Sequence, residues 1–162
     1  LSALTSISPV PITEGPLPPG VHGAYHHAEQ RITLSPGMSQ AQTVKTLVHE
    51  IAHAKLHALP VEGGIIVGAH KKERRTREVE AESVAYTVCQ YLGLDTGDYS
   101  FGYIAGWSSD RDMKELRSSI RNTAAELIDG IERQCLELPP PEPVFQRRRK
   151  QTSKRTTKPQ TR

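Results

Sequence analysis

The stretch His49-Glu50-Ile51-Ala52-His53 constrains this chain more than any other, because its chemistry requires a helix. Two imidazoles four residues apart leave a helix on one face and can grip a single zinc ion, while the carboxylate between them faces the water that the metal acidifies. The flanks support the helix. Val44, Leu47, Val48 and Ile51 recur at three- and four-residue intervals, the period of an amphipathic helix running from residue 40 to about residue 58. Ser39 followed by Gln42 predicts a capping box at its start. The pattern leads us to expect zinc held by His49 and His53, Glu50 as the catalytic carboxylate, and hydrolysis of a peptide bond.

His57 continues the imidazole series, but two turns of helix set it roughly 12 Å from His49 along the axis, far beyond a zinc–nitrogen bond of about 2.1 Å. It is expected to be a buried or capping histidine, so the third ligand must come from elsewhere. Residues 77–88 read as a second, acidic helix closed by a glycine cap at Gly93 with Leu94 beyond it. Glu78, Ala81, Glu82 and Ala85 share one of its faces. Small alanines there permit close approach to the first helix, which makes Glu78 the expected third ligand. Glu82, one turn on, is expected to orient a ligand histidine through its free ring N–H. Glu80 lies on another side and stays open as the alternative ligand, with His70 an outside candidate.

Ahead of the motif, Gly23 to His27 and Arg31 to Leu34 flank a short polar connection and predict a β-hairpin. Its edge strand, with Tyr25, is a candidate wall of the substrate cleft, where an extended peptide can add a strand. His26 and His27 are adjacent in that strand, point to opposite faces and are expected to be surface or packing histidines. Residues 8–20 carry five prolines and two glycines, which predicts an extended linker or strap in place of a regular element. After the motif helix Pro60, Gly63, Gly64 and Gly68 break the pattern, and the charged run Lys71-Lys72-Glu73-Arg74-Arg75 is expected to be a solvated loop.

Residues 23–93 resemble the ImmA/IrrE-type zinc metallopeptidases: a G-A-Y hairpin, H-E-x-x-H followed by Ala54-Lys55-Leu56-His57, then R-E-x-E-A-x-x-x-A on the next helix. The resemblance extends to the zincin-like domain of ArdC-type antirestriction proteins through Gly102-Tyr103-Ile104-Ala105-Gly106-Trp107 and the long helix after it. It implies an α+β, zincin-like fold, a small antiparallel hairpin or sheet packed on the motif helix, the acidic helix and a long C-terminal helix. It also implies zinc, and a regulatory protein of a mobile or conjugative element as substrate. Carried over, it makes His49 and His53 ligands, Glu50 the catalytic carboxylate and Glu78 the matching acid. Residues 1–22 carry no resemblance to the N-terminal single-strand DNA-binding domain of ArdC, so direct antirestriction activity is not expected. An ArdC-like binding module with a non-proteolytic zincin scaffold is the rival function.

Tyr99, Phe101, Tyr103 and Trp107 gather half of the eight aromatics, and Tyr103 is a second candidate for the cleft. Met113, Leu116, Ile120, Ala124, Leu127, Ile131 and Leu138 mark the apolar stripe of the long helix, residues 110–138. Cys89 and Cys135 match no disulfide or zinc-finger spacing and are expected to be buried free thiols in a reducing compartment. Beyond the prolines at 139–141, eight basic residues follow with no acid among them, and without them the net charge of +3 becomes −5. Such a tail is expected to be disordered and able to touch nucleic acid without sequence preference. The expected division is therefore a Pro-rich leading segment, 1–20, a metallopeptidase domain, 21–138, and the basic tail, 139–162. No signal sequence or apolar span is found, and a cytoplasmic protein acting on a protein or peptide, with no membrane partner, is expected.

Overall fold

The computed structural model describes residues 1–95 and 110–137, the side chains of 110–113 excepted. In chain order these form α1 (Ser2–Ile7), β1 (Ile12–Glu14), β2 (Gly23–His26), β3 (Arg31–Leu34), α2 (Gln40–Leu56), β4 (Val61–Glu62), β5 (Ile65–Ile66), α3 (Arg74–Tyr91) and α4 (Asp110–Glu137). The architecture is α+β, with two small sheets among four helices. Tyr103, the other aromatics of the 99–107 stretch and the basic tail lie outside the described residues.

The hairpin forms as β2 and β3, paired antiparallel with Tyr25 opposite Ile32. It does not stand alone. β1 adds to the far side of β3 in parallel, Ile12 opposite Ile32, giving the order β1-β3-β2. The proline-rich segment thus contributes a strand, and just before it α1 packs on α4 with Ala3 and Leu4 buried. A Cβ at Gly130 of α4 would lie 3.2 Å from Ile7 Cγ2, so the two helices touch where one has no side chain. Another short hairpin, β4 and β5, turns at Gly63 and Gly64, whose φ angles are positive. The glycines that break the helical pattern after α2 thus form the turn of a short ladder.

Helix α2 starts as expected at Ser39, whose hydroxyl accepts from the Gln42 N–H at 3.2 Å. The Gln42 side chain does not complete the capping box; it donates to Thr46 Oγ1 at 3.0 Å. Helix α3 ends in a Schellman arrangement: Gly93 is left-handed, its N–H bonds to Gln90, and the Leu94 N–H reaches back to the Cys89 carbonyl. Between these helices lies the core. Leu47, Val48, Ile51 and Ala52 of α2 meet Ala81, Val84, Ala85 and Val88 of α3, all fully buried, with Ile32 beneath and Leu127 and Ile131 of α4 closing the side. Ala81 and Ala85 let α3 lie close along α2. Among the described residues no helix is long and apolar enough to cross a membrane. Both cysteines are free, Cys89 buried and Cys135 exposed.

Candidate metal centre

The close approach of α2 and α3 brings three side chains to one point. His49 Nε2 and His53 Nε2 lie 3.1 Å apart, and each is 3.5 Å from Glu78 Oε2. Four ligands at about 2.1 Å from a tetrahedral ion sit about 3.4 Å from one another. The three edges seen here match that spacing, and the donor set of two imidazoles and a carboxylate suits zinc. His49 and Glu78 are partly exposed, so this face is open. The His49 and His53 rings beside it hold the Glu78 carboxyl well below its ordinary range, with burial opposing them. Burial lowers the His53 pKa, against the pull of Glu78. The carboxylate thus stays ionised and the buried ring favours the neutral form that a metal ligand needs.

Glu50 lies on the same helix, 7% exposed. Burial raises its pKa, while His49 and a hydrogen bond from the Tyr25 backbone N–H pull it down. Strand β2 can reach Glu50 because its first residue is glycine. A Cβ on Gly23 would meet Thr46 Cγ2 at 2.5 Å and Glu50 Cγ at 3.0 Å, so any side chain there would push the strand off α2. The hairpin was expected to offer its edge to a peptide. Strand β2 is an edge of the three-stranded sheet, with the Tyr25 N–H acting on the Glu50 carboxylate.

Two expected roles fall differently. Glu82 is exposed and makes no hydrogen bond to either ligand histidine. The ring partner of His53 is His57, Nδ1 to Nδ1 at 2.9 Å. His57 is indeed a cap residue, nearly fully buried, as its position at the end of α2 predicts. Behind it stands Glu80, at 0% exposure, accepting from His57 Nε2 at 3.0 Å, from Ser119 Oγ at 2.6 Å and from Lys72 Nζ. Burial raises the Glu80 pKa, but these three donors outweigh it and bring it down to about 2. Glu80 is thus engaged away from the ligand cluster, and Glu78 is the acid that joins it.

The remaining histidines stay apart from the cluster. His26 Nε2 bonds Thr33 Oγ1 at 3.0 Å, and His70 packs edge-on against His27 at 4.9 Å between ring centroids. His27 also stacks on Tyr25 at 4.7 Å. A signal for the His57–Glu80 pair was present in the sequence, in a histidine at the motif's own four-residue spacing and an acid two residues from Glu78. Only the rotation of α3 against α2 joins them.

Residues 12–89 match the family model described as the IrrE N-terminal-like domain, a metallopeptidase family. An uncharacterized protein of Bacillus anthracis is 32% identical over 126 residues, which cover 73% of this chain and 20% of that protein. The chain therefore spans about a fifth of the length of that curated relative. No solved structure matches the chain.

Proposed function

The chain belongs, through residues 12–89, to the IrrE N-terminal-like family of metal-dependent peptidases, and from that premise we propose that it is a zinc endopeptidase with a zincin-like fold. The observation that carries this reading is a buried carboxylate of raised pKa, Glu50, set on the same helical turn as the convergent His49, His53 and Glu78. A purely structural zinc would have no use for such an acid. When bound, zinc supplies Lewis acidity at the scissile carbonyl and a water acidified toward neutrality. His49, His53 and Glu78 hold it. Glu50 takes the proton onto its carboxylate and passes it to the leaving amine. The Tyr25 N–H keeps that carboxylate facing the site.

The proposed substrate is a regulatory protein of a mobile or conjugative element, a reading supported by the ImmA/IrrE-type resemblance, and the proposed setting is the cytoplasm. The test is Glu50→Gln in a cleavage assay against candidate repressors. The expected variant keeps its zinc and loses proteolysis by at least about 100-fold. Full cleavage by the variant would remove Glu50 from the mechanism. A parent that binds such a partner tightly and cuts none would favour the ArdC-like binding module.

A further inference from the structure

Behind the ligand set, a chain of hydrogen bonds leaves the open face and ends on α4. It runs from His53 Nδ1 to His57 Nδ1, from His57 Nε2 to Glu80 Oε2, and from Glu80 Oε1 to Ser119 and Lys72. Both His57 and Glu80 are sealed, their side chains 1% and 0% exposed. An ionised carboxylate can only accept, so His57 Nε2 must carry a proton. A neutral His57 then presents a lone pair at Nδ1, and His53 must donate to it from its own Nδ1–H. That leaves the lone pair of His53 at Nε2, the atom that meets His49 and Glu78. The opposite arrangement, with His57 donating to His53, would place a proton on His53 Nε2 and spoil the ligand.

We propose that Glu80 and His57 are positioning residues: together they fix the tautomer and the ring plane of His53, so that one metal ligand is set in advance by a buried relay that Lys72 and Ser119 anchor. The proposal rests on the reading of His49, His53 and Glu78 as metal ligands. No comparable bond reaches His49 Nδ1 among the described residues, so the relay makes His53 the rigid ligand of the pair.

The geometry dictates how variants should rank. His57→Leu deletes the acceptor of the His53 Nδ1–H. His57→Gln keeps one, because an amide oxygen can accept from His53 while its NH2 donates to Glu80. Glu80→Gln preserves shape but reverses the relay: Lys72 donates only, so it draws the amide oxygen to its side and turns the NH2 toward His57. That forces the proton of His57 onto Nδ1 and the proton of His53 onto Nε2. Adding Lys72→Met frees the amide to flip, since the Ser119 hydroxyl can accept from it while donating to the Leu116 carbonyl, 3.0 Å away.

Zinc affinity by competition with a buffering chelator, and the visible spectrum of the Co2+-substituted full chain, read this directly. Circular dichroism and the melting of the metal-free forms check the fold. We expect His57→Leu and Glu80→Gln to weaken zinc by roughly 10–100-fold, as losses of outer partners do, and to shift the Co2+ bands. His57→Gln and the Lys72→Met/Glu80→Gln double variant should recover to within about threefold of the parent, on the same scale. Parent-like affinity and spectrum in His57→Leu would overturn the relay alone, as would equal losses in His57→Leu and His57→Gln. A parent that takes up neither zinc nor Co2+ would overturn the ligand set itself, and the relay with it.

Discussion

The two sides of His53 differ as sharply as any two regions of the molecule. In front, His49 and Glu78 have side chains 21% and 43% exposed, around the point where three donors meet. Behind, His57 and Glu80 are dry, and each polar atom has a partner. The front must admit water, substrate and metal, so its charges are cheap to solvate and its carboxylate is held ionised by two histidines. In a sealed position an unpaired polar group costs about 1–3 kcal/mol, so the back tolerates no loose end. A site of this kind divides its labour: the open side does chemistry, and the closed side sets the shape of the open one.

Removing a member of each side should separate the two roles. On the open face, Glu78→Ala should weaken zinc by more than the roughly 10–100-fold typical of an outer partner, while metal-free stability barely changes. A chelator competition paired with urea unfolding of the metal-free protein reads both. On the closed face the balance reverses. Glu80→Ala leaves His57 without its acceptor, while Ser119 keeps the Leu116 carbonyl, and should cost the metal-free protein about 1–3 kcal/mol; an unchanged urea midpoint would mean that the buried side is not structural.

Acid offers a second way to separate them. Glu80 has a folded pKa near 2 against about 4.3 for an unfolded glutamate. A depressed carboxylate contributes stability that is present above the unfolded pKa and lost as pH falls through the folded one. The metal-free parent should therefore weaken steadily between about pH 4.5 and pH 2, by on the order of 2 kcal/mol, and Glu80→Gln should flatten that part of the profile. An identical slope in the two proteins would assign the acid sensitivity elsewhere.

Smaller effects follow at the margins of the site. Gly23→Ala inserts a methyl where Thr46 and Glu50 already touch and should cost about 1–3 kcal/mol. Activity should fall while zinc content stays at the parental value, because β2 orients Glu50 and touches no ligand. Glu82→Ala should be nearly silent, within about 0.5 kcal/mol in stability and with unchanged zinc affinity. A large loss there would restore Glu82 to the role that its place on the helical face first suggested.

What could be read in the sequence follows the range over which each feature is encoded. The motif helix, its Ser39 cap and the Gly93 stop are local, written in periods and single residues, and they form as the pattern predicts. The ligand geometry needed one further step, the alanines that let α3 approach α2. Strand β1 was hidden because its partner, Ile32, lies twenty residues away and prolines dominate its surroundings. The relay was hidden for the same reason. His57 and Glu80 are 23 residues apart, and which face of α3 turns inward is decided by packing that no spacing rule contains. Glu80, open in the sequence as a rival ligand, proves to be the most deeply buried acid among the described residues.

The most direct test of the metal centre is elemental analysis of the full chain after gentle purification and zinc repletion, made side by side with its Glu50→Gln and Glu78→Ala variants. About one zinc per chain is expected in the parent and in Glu50→Gln, and much less in Glu78→Ala, since Glu78 is a ligand and Glu50 is not. A parent without zinc, or a Glu78→Ala variant that keeps a full complement, would contradict the assignment of His49, His53 and Glu78 as the ligand set.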